Sequence, residues 1–336
     1  MSVELKTRYL GLDLSSPIIA GAGPLTGNLD QIKALADAGA AAVVLPSLFE
    51  EQMEHEEMEL FRLSDFQAEV SAEASGFLPA VSHYNVGTRQ YIKLIQSAKS
   101  LVDIPVIASL NGCSPHGWGR YSRMLADAGA DALELNIYFV PTDPSTTSAE
   151  VEQRYLNLVE EVRSVVSIPI AVKMGPFITA LPNFVLRLEK AGANGFVLFN
   201  RYLEPEININ NFQVQPHLEL SHPGELRLPL RWIAILREHL SASLAATSGI
   251  HSASDVLKSL LAGADVAMMV STLLTNGPHV ILKCLQELES WMVEHDYESI
   301  FQLRGCMSRS HCENPSAYER ANYVKALTSY TSSYNS

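Results

Sequence analysis

The tripeptide Ala-Gly-Ala occurs at Ala38-Gly39-Ala40, Ala128-Gly129-Ala130, Ala191-Gly192-Ala193 and Ala262-Gly263-Ala264, each time after a helical pattern and before a β-rich run. A helix that must stop and return at once to a sheet needs a left-handed residue after its last turn, and glycine adopts that conformation without a Cβ clash. The small alanines let the chain fold straight back onto the next strand. Four copies of one turn imply a repeated helix-to-strand unit, and so a parallel α/β architecture.

Reading outward from these turns yields eight strands: 17–21, 41–45, 106–110, 132–136, 170–173, 196–200, 244–247 and 266–270. Most are continuous apolar runs without alternation, as expected of strands covered on both faces. Eight such strands with intervening helices predict a (β/α)8 TIM barrel. The rival doubly wound sheet lacks support, because no G-x-G-x-x-G turn follows the first strand. No linker-like composition interrupts the 336 residues, so a single domain over 1–336 is expected. Two connections exceed ordinary βα loops, 46–86 after the second strand and 202–228 after the sixth. Both leave the carboxyl end of the barrel, where insertions form lids, substrate walls or oligomer contacts. The polar tail 297–336 is expected to pack helices on the outside.

Composition narrows the function classes. With 24 Lys plus Arg against 37 Asp plus Glu, the formal charge of −13 repels nucleic acid and anionic membranes over most of the surface. The start M-S-V-E-L-K-T-R has no signal-peptide core, and no apolar run reaches the about 18 residues of a membrane span. Cys113, Cys284, Cys306 and Cys312 show no C-x-x-C spacing, which fits a reduced cytoplasmic protein without a zinc or iron–sulfur site. The acidic run from Glu50 to Glu59 reads as a solvated face, and His55 within it completes no H-E-x-x-H metal motif.

The last βαβ unit, Leu244 to Leu274, carries the clearest ligand signal. Its first strand ends at Ser248-Gly249, a helix opens near Ser252 to Asp255 and stops at Gly263, and the second strand ends at Ser271-Thr272. In an eight-stranded α/β barrel the loops after strands seven and eight commonly hold a cofactor's phosphate on free backbone N–H groups. Ordinary βαβ punctuation explains one such strand end. Two adjacent ones favour a phosphorylated ligand.

Asn111, Asn136, Lys173 and Asn200 sit at the carboxyl ends of the middle strands. A lysine ending an apolar strand points its ammonium into the barrel mouth, where it can neutralise charge developing on a cofactor or substrate. The amides around it add donors and acceptors without charge.

With those positions in place, the chain resembles the dihydroorotate dehydrogenases, and more closely a bacterial dihydroorotate dehydrogenase-like branch. The resemblance rests on S-P-I-I-A-G-A-G-P, A-L-E-L-N, I-P-I-A-V-K-M-G-P-F, G-F-V-L-F-N-R-Y-L-E-P and A-T-S-G-I-H-S-A-S-D-V-L-K-S-L-L-A-G-A-D-V. R-G-C-M-S and N-P-S-A-Y-E-R-A-N-Y of the tail match the branch. The resemblance implies a soluble, FMN-dependent flavoprotein that oxidises dihydroorotate to orotate in pyrimidine biosynthesis. It implies Lys173 beside the flavin N1 and O2 edge, Asn136 near flavin and substrate, and Asn200 on the substrate side. It also implies Ser248, Gly249, Ser271 and Thr272 on the phosphate, with Ala20, Gly21 and Ala22 on the turn that approaches the ring. Asn111 joins this cofactor-binding set. A homo-oligomer, a dimer, and a redox partner protein are expected beside the small-molecule substrate.

The chain also departs from the family pattern. The position of the family's catalytic Cys or Ser falls at Phe139, or within a residue of it, in N-I-Y-F-V-P-T-D, and a phenyl ring accepts no proton. A second family lysine falls at about Leu45, and the family's asparagine motif after strand two is not recognisable in E-A-S-G-F-L-P. Replacement bases are sought on the same loop: Thr142 and Asp143 first, then Ser145, Thr146, Thr147 and Ser148, although an Asp before Pro144 also reads as a turn residue. Cys113 is a second candidate acid, with a buried inert thiol the favoured reading. Arg201 can grip a carboxylate or pair with Glu204, and the pair is favoured. Two rivals stand beside dihydroorotate oxidation: a flavin oxidoreductase acting on another dihydro or unsaturated ring, and a non-catalytic barrel that binds FMN or a phosphometabolite.

Overall fold

The computed structural model describes residues 3–52, 87–112 and 117–329. Most of the 46–86 connection, His55, the E-A-S-G-F-L-P run and Cys113 lie outside the described residues.

Eight parallel strands close into a barrel: β3 (Ile18–Ala20), β4 (Val43–Phe49), β5 (Val106–Gly112), β6 (Ala132–Ile137), β7 (Ile170–Met174), β8 (Gly195–Leu198), β11 (Ser243–Thr247) and β12 (Val266–Met269). All eight expected strands are present. Helices such as Ser148–Val165, Leu181–Ala191 and Ala253–Ala262 return the chain between them, so the fold is the (β/α)8 TIM barrel. The four Ala-Gly-Ala turns do what their composition predicts: Gly39, Gly129, Gly192 and Gly263 have φ of 97°, 102°, 114° and 120°.

Side chains alternate between two cores. Leu133, Leu135, Val172 and Leu198 face outward and pack under the helices. Ala132, Ala171, Val197 and Ala245 face inward and fill the barrel with Ile19, Val44, Ile107 and Met268. The amino end of the barrel is plugged by a hairpin, β1 (Thr7–Tyr9) with β2 (Leu12–Leu14), which delivers Tyr9, Leu10 and Leu14 into the inner core. Gly195 leaves room for this plug, since a Cβ would lie 2.5 Å from Leu10 Cδ2 and could be accommodated only if that side chain moved. Polar inward residues are thereby pushed toward the other end.

Two boundaries differ from expectation. The second barrel strand does not stop at Leu45. It runs through Pro46 to Phe49 because a bulge between Val44 and Ser47 absorbs the proline that cannot donate to the ladder. Ser271-Thr272 does not end the last strand: β12 stops at Met269, and these two residues open a short helix, Ser271–Asn276. After β8 comes an exposed two-stranded ribbon, β9 (Pro205–Asn208) with β10 (Gln213–Pro216), then a helix at Arg227–Leu236. Beyond residue 297, short helices form at Ile300–Leu303 and Arg320–Ser329.

Candidate active site at the barrel mouth

Strand alternation selects which residues reach the mouth. On β6, Ala132 faces inward and so do Glu134 and Asn136; on β7, Ala171 and Lys173 do. The pairing register sets Asn136 opposite Lys173. Lys173 Nζ lies 3.6 Å from Glu134 Oε1, and both side chains are largely withdrawn from solvent, at 13% and 1% exposure. Asn200 Nδ2 donates to Asn136 Oδ1 at 2.7 Å. That bond fixes the direction of both amides, so Asn136 offers a donor and Asn200 an acceptor to whatever enters. Asn111 lies beside Asn136 in the ladder. The sequence-predicted set Asn111, Asn136, Lys173 and Asn200 therefore shares one end of the barrel.

One side of the mouth is aromatic. The Tyr138 and Tyr202 rings approach to 4.4 Å, and Phe177 lies 5.4 Å from Tyr202. Gly175 allows this packing, since a Cβ there would lie 2.8 Å from the Tyr202 ring. Tyr202 donates its hydroxyl to the Phe139 carbonyl at 3.3 Å, and burial raises its pKa, which keeps the phenol neutral. Phe139 is half-buried beneath the Arg154 guanidinium, 4.6 Å from its ring centre. Beyond it the loop turns outward: Thr142 and Asp143 are exposed. Asp143 Oδ1 accepts from the Ser145 N–H at 2.9 Å and from its hydroxyl at 2.7 Å, which holds the carboxyl below its ordinary range. These bonds make Asp143 the turn residue that its place before Pro144 suggests.

A cavity of about 560 Å³ opens beside this wall, lined among others by Asn200, Arg201, Tyr202, His217, His222 and Ser248. Arg201 does not pair with Glu204, as the sequence favours. Its Nε lies 2.7 Å from Glu225 Oε2 and its Nη1 donates to the Glu219 carbonyl at 2.5 Å, because the chain after β10 folds back over the mouth.

The turn after β11 carries the sharpest backbone signal. Ser248 has φ 70° and Gly249 φ 76°, two successive left-handed residues. For serine that conformation is costly and needs support from its surroundings. Gly249 could be nothing larger, as a Cβ would lie 2.5 Å from the Leu226 nitrogen. Ser221 links this turn to the next one: its Oγ accepts from the Gly249 N–H at 3.3 Å and donates to Ser271 Oγ at 2.9 Å. His251 Nε2 lies 3.4 Å from the same hydroxyl. Thr272 is fully buried. Of the first-strand residues, Ala20 packs in the outer core, while Gly21 donates to the Met269 carbonyl and Ala22 lies against the inner core.

Sequence reasoning did not single out Ser221, His251, Tyr202 or Glu134. Ser221 comes from the long connection, about which periodicity says nothing. Glu134 carried a usable signal, a carboxylate at an inward step of an otherwise apolar strand.

The model of a family described as dihydroorotate dehydrogenase matches residues 4–292. Among curated proteins, the chain is 23% identical to the dihydroorotate dehydrogenase B (NAD(+)) catalytic subunit of Methanothermobacter thermautotrophicus, over 91% of this chain and 99% of that protein. It is 24% identical to a putative dihydroorotate dehydrogenase A (fumarate) of Aeropyrum pernix, over 91% and 98%. It is 28% identical to the dihydroorotate dehydrogenase B (NAD(+)) catalytic subunit of Halalkalibacterium halodurans, over 69% and 77%.

Proposed function

The chain belongs to the dihydroorotate dehydrogenase family, and from that membership we propose that it is an FMN-dependent oxidoreductase that converts dihydroorotate to orotate. The observation that carries this reading is the constellation of Lys173, Asn136 and Asn200 at one barrel mouth. The residues present fit FMN by their chemistry. A sheltered ammonium suits the ring edge that gains negative charge on reduction, and the left-handed Ser248-Gly249 turn beside Ser271 and Thr272 suits a phosphate. Ser221 Oγ, which spans those two turns, becomes a further phosphate partner.

When bound, FMN supplies the acceptor for a hydride taken from one carbon of the substrate's CH–CH bond. The chain's own residues do the rest. Lys173 holds positive charge where the reduced ring concentrates negative charge. Asn136 Nδ2 and Asn200 Oδ1, left free by the amide–amide bond, present a donor and an acceptor side by side. A pyrimidine imide offers the complementary acceptor and donor. The Tyr138–Tyr202 pair walls the mouth from one side.

The second half of the oxidation is removal of a proton from the neighbouring carbon. In our reading the role falls to the loop after β6, where Thr142 and Asp143 are the nearest candidates in sequence, both exposed where the loop turns outward. Asp143 is a weak base, because Ser145 stabilises its ionised form. That observation, with Phe139 in the expected base position, favours a second reading: a dihydro or unsaturated ring that loses its proton more readily than dihydroorotate.

Electrons pass onward to a partner protein, a reading supported by relatives named as catalytic subunits. A homodimer is supported by the ribbon after β8. Ile207 and Val214 are cross-strand partners on one face and are 64% and 70% exposed, and Phe212 in the turn that joins the two strands is 91% exposed. A two-stranded ribbon is marginal in water unless such a face is covered. No described helix is long and apolar enough to cross a membrane, and a cytoplasmic location suits the four cysteines.

The test is to add FMN to stripped protein. One equivalent should bind, and orotate should then perturb the flavin spectrum. A protein that neither carries FMN nor takes it up refutes the proposal.

A further inference from the structure

Inside the barrel, among the described residues, lies a carboxylate for which the proposed reaction has no use. Glu134 is 1% exposed, and its Oε1 has no hydrogen-bond partner among the described residues. It faces inward one step below Asn136 on β6, while Lys173 faces inward from the adjacent strand at the level of Asn136. Two residues along one strand face span about 7 Å. A lysine free to extend from its position would reach upward into the mouth. Lys173 Nζ lies 3.6 Å from Glu134 Oε1, so the ammonium is held against that buried carboxylate. Below, the Tyr9 hydroxyl from the plugging hairpin is also buried without a hydrogen-bond partner among the described residues, and burial together with the Glu134 charge raises its pKa.

A charge pair of this kind is a poor way to build a core. Desolvating two ions costs more than well-packed apolar side chains of similar volume. Its value must lie in what it does to the mouth. We propose that Glu134 is a positioning residue for Lys173: it holds the ammonium at the inner edge of the mouth and offsets part of its charge, thereby setting how strongly the protein favours reduced over oxidised flavin. The inference rests on the FMN reading above. Its sign follows from Coulomb's law, since a negative charge behind the ammonium opposes the build-up of negative charge on the ring in front of it.

The experiment is redox potentiometry of the FMN-loaded protein with Glu134→Gln and Glu134→Asp beside the unaltered chain. Glu134→Gln removes the offsetting charge. The ratio of affinities for reduced and oxidised FMN should rise about tenfold, a positive shift of ~30 mV for a two-electron couple. Glu134→Asp keeps the charge but shortens its reach, so the shift should have the same sign and be smaller; it also carries the test if the glutamine variant fails to fold. A purely structural role would alter stability and leave the potential unmoved. FMN-loaded variants at the unaltered potential overturn the inference alone, whereas an unaltered protein that takes up no FMN overturns the functional proposal and the inference with it.

Discussion

At Lys173 a single ammonium faces Glu134 on one side and the open mouth on the other. Lys173→Met should lower the potential of bound FMN, the opposite direction to Glu134→Gln. It should also destabilise the fold by about 3 kcal/mol, because it strands a buried carboxylate; potentiometry and urea unfolding read the two effects separately. At Phe139 the expectation concerns rate. If this position is where the family base acts, Phe139→Cys should speed flavin reduction by dihydroorotate by about 10²-fold, the lower end of what a general base supplies. Stopped-flow absorbance measures it, and no gain would assign proton removal elsewhere. Residue identity at the mouth was legible wherever a polar side chain ended an apolar strand, as at Asn136, Lys173 and Asn200. Partners were less so. Arg201 pairs with Glu225 and not with Glu204, because a pairing across a folded-back loop leaves no mark in local spacing.

Among the elements, the Ala-Gly-Ala turns were readable because only glycine meets the left-handed requirement cheaply, and all four have positive φ. The helix opening at Ser252 was equally plain: the Ser252 side chain accepts from Asp255 N–H and the Asp255 carboxylate reaches back to Ser252 N–H, a reciprocal cap. The ribbon of β9 and β10 was not read as strands. Its segments are short, and the side chains of all but Asn208 are exposed, so no burial imposes a period on them. The bulge at Pro46 was missed for a related reason, since a proline inside a strand pattern reads as its end. If the ribbon pairs two copies, Phe212→Asp should shift the protein from dimer to monomer without loss of helicity. Sedimentation velocity and far-UV circular dichroism check this together, and a monomeric unaltered protein would end the dimer reading.

For the molecule as a whole, the two ends of the barrel do different work. The mouth collects polar groups, while the floor is closed by the hairpin and a buried charge cluster. Asp265, with its side chain 5% exposed, accepts from the Leu244 N–H at 2.7 Å and pairs with Arg237 at 3.1 Å and with Arg304. Its carbonyl accepts from the Thr7 hydroxyl. One residue therefore ties β11, the helix at Arg227–Leu236, the segment after Ile300–Leu303 and the amino-terminal hairpin. Asp265→Asn should cost about 3 kcal/mol in urea unfolding, since it leaves two arginines without their shared anion. FMN affinity, governed at the far end, should hold. The central claim, that this barrel oxidises dihydroorotate through FMN, is tested most directly by mixing the FMN-loaded protein with dihydroorotate without oxygen and following the visible flavin absorbance. Bleaching of the flavin with one orotate formed per FMN is the predicted result; a flavin that dithionite bleaches and dihydroorotate does not would contradict it.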